Sequence, residues 1–199
     1  MTETQFYPNV DHVDHVALEN LLVNRCKNLN VKCLTVPSYY HLAEKDDYKP
    51  NFSHVGLYLR STPDRFVASK HPFLIDVKSQ VRKETGNIAV ELSSLYFNVE
   101  RCKTGIPVYY LNSINNEARV FSPLHMKPQT IFIQPKWETN SIFDKYAAGL
   151  RLYYETVLGC TIQVRYEPTG GSQDPFVLIP IAGLDSIKLE EFIKMRQWT

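Results

Sequence analysis

Hydrophobic positions along the chain alternate between two periods, and the places where the period changes divide it into elements. Residues 11–29 (DHVDHVALENLLVNRCKNL) predict a helix, with Asn9 or Asp11 to cap it, Leu21, Leu22 and Leu29 among its apolar positions, and an end near Asn28 to Asn30. Val31 to Val36 reads as a strand closed by Pro37, and a polar loop from His41 to Phe52 leads to a second strand, His54 to Leu59. Phe66-Val67-Ala68 and Phe73-Leu74-Ile75 flank the turn-like Ser69-Lys70-His71-Pro72, which predicts a hairpin. After a polar stretch at 79–86, Ile88, Leu92, Leu95, Tyr96 and Val99 recur at helical spacing, so residues 87–103 read as one amphipathic helix ended by Gly105. Pro107 to Leu111 is then a buried strand. A helix separates it from the hairpin, so it is expected to run parallel to the strand carrying Asp76.

The remainder continues in the same manner. Thr130 to Ile133 predicts a strand, and Ser141 to Leu158 a helix with Ile142, Phe143, Tyr146, Ala147, Leu150, Tyr153, Tyr154 and Val157 on one stripe, stopped by Gly159. Thr161 to Tyr166 and Phe176 to Ile181 read as a strand pair around the loop PTGGSQDP, and Asp185 or Ser186 caps a last helix. The pattern as a whole is α/β in one domain: a core of mixed sheet flanked by helices over about 11–111, and a C-terminal α/β extension over about 112–199.

Composition narrows the function classes. With 199 residues, 44% of them hydrophobic, one core is expected; with 22 basic against 21 acidic residues, no global field draws the chain to nucleic acid or membrane. No run of 18 apolar residues occurs and residues 1–15 lack the basic start and apolar stretch of a signal peptide, so a cytoplasmic location is expected. Cys26, Cys33, Cys102 and Cys160 have no C-x2-C spacing, which excludes a zinc ribbon and predicts buried free thiols.

The candidate chemistry lies in residues 62–80, TPDRFVASKHPFLIDVKSQ. Residues two apart on a strand share a face, so Asp76 and Lys78 project together, and the antiparallel partner strand brings Asp64 beside them. Two carboxylates converging at the edge of an apolar sheet call for a counter-charge, and a hard divalent cation, Mg2+ or Mn2+, supplies it. Such an ion activates water and stabilises a leaving oxygen, while Lys78 is placed to orient or deprotonate the attacking water, a set suited to phosphodiester hydrolysis.

Pro63-Asp64, eleven intervening residues, then Asp76-Val77-Lys78 resembles the PD-(D/E)xK nuclease superfamily. The resemblance covers about 11–111 and implies a restriction-endonuclease-like core of a helix, three antiparallel strands, a helix and a fourth strand. It also implies metal binding by Asp64, Asp76 and the Val77 carbonyl, with Lys78 as the catalytic lysine. RecB-like members add a histidine from an upstream helix and other branches a glutamate; His12, His15 and Glu19 share one face of the first helix, and of these His15 and Glu19 are the candidate further ligands. Gln80 continues the face of Asp76 and Lys78 toward metal-bound water or phosphate, Glu91 is a polar candidate on the helix that follows, and Tyr96 falls on that helix's apolar stripe.

For a nucleic-acid partner, residues 60–103 hold eight basic and five acidic side chains, and Lys70, Arg82 and Lys83 are the phosphate-binding candidates. The expected function is a Mg2+- or Mn2+-dependent deoxyribonuclease, with RNA as the alternative substrate. A stand-alone enzyme of phage or mobile-element type would act in the host cytoplasm, and the 141–158 stripe would serve equally at a homodimer interface. Two other readings stay open: a non-catalytic nucleic-acid-binding or assembly protein in which the hairpin carries only an Asp–Lys ion pair, and a separate metal site built from His12, His15 and Glu19.

Overall fold

The hairpin anticipated around Ser69 to Pro72 organises the computed structural model, which describes residues 12–37, 53–78, 81–82, 86–133, 140–167 and 175–198. Helix α1 (His12–Asn28) is followed by strand β1 (Lys32–Thr35), helix α2 (His54–Arg60), and strands β2 (Arg65–Ala68) and β3 (Phe73–Val77). Strand β1 pairs antiparallel with β2, and β2 with β3 in the register Arg65↔Ile75 and Val67↔Phe73. After the short β4 (Val81–Arg82) and β5 (Asn87–Glu91), helix α3 (Leu92–Lys103) leads to β6 (Val108–Ile114). Strand β6 lies parallel to β3, with Asp76 opposite Tyr110, as the crossover rule requires. The remaining elements are β7 (Glu117–Phe121), β8 (Thr130–Ile133), α4 (Asn140–Leu158), β9 (Gln163–Tyr166), β10 (Phe176–Pro180), β11 (Ile187–Lys188) and α5 (Leu189–Trp198).

Two mixed sheets result, a six-stranded β1-β2-β3-β6-β7-β11 and a five-stranded β4-β5-β10-β8-β9. The fold is thus mixed α/β with flanking helices. Alternation along β3 sends Phe73, Ile75 and Val77 to one face of the first sheet, where they pack with Leu18, Leu22 and Cys26 of α1 and Phe192 and Ile193 of α5. Tyr110, Ile114 and Phe121 point the other way, into a larger core shared by α3, α4 and the second sheet. Among the described residues no helix is long and apolar enough to cross a membrane.

Several elements differ from the sequence reading. Residues 54–60 form a helix rather than a strand: Ser53 caps it, its Oγ accepting the Gly56 N–H at 3.1 Å. The 87–103 segment is two elements, because Ile88 and Val90 pair with β10 before the chain turns into α3 at Leu92. Strand β7 was not anticipated; Asn115 and Asn116, both at positive φ (53° and 62°), make the tight turn that returns β6 into it. Strands β9 and β10 do not pair with each other; β8 lies between them. The 112–199 segment is no appendage to the first sheet, since β7 and β11 extend that sheet and β10 completes the second. Of the four free cysteines only Cys26 is fully buried.

Candidate functional site

The six-stranded sheet positions the site through register alone. Continuing Arg65↔Ile75 by one residue sets Asp64 opposite Asp76, and the Asp64 Oδ2 accepts the Val77 N–H at 2.7 Å. The Asp64 carbonyl meanwhile accepts the Val36 N–H at 3.0 Å, which fixes its backbone to the end of β1. Hydrophobic residues at 73, 75 and 77 claim the α1 and α5 face, so 76 and 78 must point to the α3 face.

Asp76 is 4% exposed and fully partnered. Its Oδ2 accepts from Ser94 Oγ at 2.8 Å and from Asn98 Nδ2 at 2.9 Å, both on α3, while its Oδ1 lies 3.0 Å from Lys78 Nζ. Behind it, Asn98 Oδ1 accepts from Arg101 Nη1 at 2.8 Å, and the same Nη1 donates to the Ser61 carbonyl at 2.7 Å. The turn before Asp64 is therefore tied through Arg101 and Asn98 to the carboxylate of Asp76. The Tyr110 hydroxyl lies 3.2 Å from Asn98 Nδ2, and burial first, then the charge of Asp76, raises its pKa.

Lys78 sits between two acids. Its Nζ is 3.1 Å from Glu91 Oε2 as well as 3.0 Å from Asp76 Oδ1; the Glu91 contact is an ion pair whose angle falls outside hydrogen-bond geometry. Burial pulls the Lys78 pKa down, but Asp76 and Glu91 outweigh it and hold the ammonium well above its ordinary range. Glu91 shows the reciprocal balance: burial favours its neutral form, Lys78 overrides it, and the pKa ends lowered.

Helix α1 supplies the other wall. One ligand atom from each of His15, Glu19 and Asp64 lies within 4.8 Å of the others, and all three residues are half-buried. Glu19 is held by Arg65, whose Nε is 3.1 Å from Glu19 Oε1 and whose Nη1 donates to Thr35 Oγ1. Asp64 bears the strain of this crowding: burial, then the neighbouring Asp76, push its carboxyl up to about 7. The two acids expected to grip a cation together thus have different settings, Asp64 open to His15 and Glu19 and Asp76 engaged by α3 and Lys78.

No family model matches this chain, and no curated protein is significantly similar to it.

Of the residues the sequence singled out, His15, Glu19 and Asp64 lie together, Lys78 joins Asp76 and Glu91, and the Val77 N–H donates to Asp64 between the two groups. Lys70 does not: it is exposed in the β2–β3 turn, at the opposite end of the hairpin. Gln80 and Lys83 lie outside the described residues, as do the side chains of His12 and Arg82. Tyr96 stacks on Tyr146 of α4 with ring centroids 4.3 Å apart, a packing contact. The sequence reading missed Ser94, Asn98 and Arg101, although their signal was present as polar residues at i, i+4 and i+7 on one face of a largely buried helix.

Proposed function

We propose that the chain is a metal-dependent nuclease that hydrolyses phosphodiester bonds of DNA. The observation that carries this reading is the meeting of Asp64, Asp76, Lys78, Glu19 and His15 at the open end of one hairpin. The resemblance to PD-(D/E)xK nucleases rests on the same residues; α1, the antiparallel β1-β2-β3, α3 and the parallel β6 follow its order, with α2 inserted after β1 and β4 and β5 before α3.

The donor set fits a small divalent cation. Asp64 at about 7 marks a carboxylate in an acidic, poorly solvated place, where a cation relieves what a proton otherwise must. Three carboxylates and an imidazole suit Mn2+ over Mg2+, because imidazole nitrogen is a poor Mg2+ ligand. His15, Glu19, Asp64 and the Oδ1 of Asp76 would hold the ion, which when bound polarises the phosphate and lowers the pKa of coordinated water. Lys78, charged in this setting, keeps its proton and donates hydrogen bonds: it orients the attacking water and offsets negative charge on the phosphate. Asn98 and Ser94 keep Asp76 Oδ2 facing the helix and leave Oδ1 for the site.

The test is incubation of the protein with linear, circular and single-stranded DNA in Mn2+. Wild type should cut at least one of them, EDTA should stop it, and Lys78→Ala should lower the rate by about 10²-fold or more. Cleavage that persists undiminished in Lys78→Ala refutes the assignment. Mn2+-independent DNA binding without cleavage favours the non-catalytic reading.

A further inference from the structure

Asn112 on β6 is 0% exposed, and among the described residues neither its Oδ1 nor its Nδ2 meets a hydrogen-bond partner. A buried amide with both ends unsatisfied is destabilising, and on an interior strand Leu or Val would fill the same space at no such penalty. The neighbouring polar groups Asp76, Ser94, Asn98 and Arg101 all have partners, whereas Glu91 Oε2, beside Lys78, shares the deficit of Asn112. Its cross-strand neighbour Arg119 offers no relief: that guanidinium is spent on Ser186 and Glu117.

The position of Asn112 gives the orphan amide a purpose. Strands β3 and β6 pair Asp76 with Tyr110 and Val77 with Leu111, and the Lys78 N–H donates to the Leu111 carbonyl at 2.8 Å. One further step along the parallel register sets Asn112 beside Lys78, on the face that Tyr110 shares with Asp76. Lys78 Nζ holds Asp76 by Oδ1, the only oxygen of that carboxylate not engaged by Ser94 and Asn98. A cation held by Asp76 as well as by His15, Glu19 and Asp64 would take that same oxygen, and Lys78 would then exchange it for another acceptor.

We propose that Asn112 is the positioning residue for this exchange, its amide oxygen receiving Lys78 Nζ when Asp76 Oδ1 turns to a divalent cation; the inference rests on the nuclease reading above. Glu91, 3.1 Å from the same Nζ, anchors the ammonium from the other side, so that it pivots between acceptors without leaving the site.

Asn112→Leu and Asn112→Val, two packings of the same strand position, test this in the full chain by Mn2+ titration calorimetry and by thermal unfolding in EDTA. Loss of an acceptor for a charged donor should weaken Mn2+ binding by about tenfold or more. Removing two unsatisfied polar atoms should leave the metal-free Tm unchanged or raise it by a few degrees, roughly 2–8 °C. In a Lys78→Met background the same substitution should leave the Mn2+ affinity where it was, because the coupling runs through that ammonium. Wild-type affinity in both Asn112 variants, an effect that survives Lys78→Met, or a clear fall in metal-free Tm overturns the proposal. If wild type itself binds no Mn2+, the nuclease reading falls and this inference with it; binding by wild type and equally tight binding by the variants defeats this inference alone.

Discussion

Asp64 is where stability and chemistry oppose each other, and substituting it separates them. Its carboxyl is raised from 3.8 to about 7, by burial and then by Asp76. Between those values the folded chain keeps a proton that the unfolded chain releases, so the folded state binds more protons and stability must fall as pH rises through the window. The loss begins above the unfolded value and levels off above about 7. At about 1.4 kcal/mol per pH unit over roughly three units, it amounts to at most about 4 kcal/mol. Asp64→Asn keeps an oxygen for the Val77 N–H and removes the charge.

In urea unfolding the variant should therefore exceed wild type by about 2–4 kcal/mol at pH 8 and match it within about 1 kcal/mol at pH 4.5. Glu91, whose pKa is lowered, contributes a slope of the opposite sign in both proteins and cancels in the difference. The variant should also lose Mn2+ binding, so the substitution that strengthens the fold at pH 8 disables the proposed site. A variant no more stable than wild type at pH 8 would refute the idea that Asp64 sits in an electrostatically unfavourable place, and with it the argument that a cation is what the place suits.

Two more substitutions check the frame around the site. Asn98→Ala removes one partner each from the buried Asp76 and Arg101, which keep others, and should cost about 3 kcal/mol by urea unfolding, more than Ser94→Ala, which removes one short bond to Asp76 and two long contacts to Asn98 and Tyr110; equal losses would refute the bridging role. Leu150→Ala, at a position 1% exposed in the core shared by α3, α4 and the second sheet, should cost about 2–5 kcal/mol, and a loss under 1 kcal/mol would contradict that packing.

The elements legible in the sequence were those whose period was unambiguous. The β2–β3 hairpin had two short apolar runs about a turn, α4 had a long stripe, and the parallel placement of β6 followed from a helical crossover. Residues 54–60 failed because seven residues of mixed apolar character carry no period; the deciding signal was Ser53, a cap that marks a helix start. Residues 87–91 failed differently. Ile88, Ala89 and Val90 are all buried, so a strand covered on both faces read as the first turn of the helix behind it. The pair Asn115-Asn116 was a turn signal that went unread. At the site, the acids and the lysine were legible from spacing, whereas Ser94, Asn98 and Asn112 become meaningful only once α3 and β6 are docked on β3, a long-range fact no local pattern carries.

The same register that builds the site also explains why its buried charges persist. A slip of one residue in β3 would carry Asp76 and Lys78 to the face packed by Leu22, Phe192 and Ile193, and Ile75 and Val77 to the polar side, so the hydrophobic face alone specifies where the charges lie. Stability does not ask for charges there. A buried ion pair gains little over apolar residues of the same volume, since desolvation offsets the attraction between its members. Here the pair is joined by Glu91, an uncomfortable Asp64 and an unsatisfied Asn112, three further features that an apolar interior would lack without harm to the sheet. Local rules broken together around the open end of the hairpin, beside His15 and Glu19, are what packing by itself would discard and what the proposed site would use.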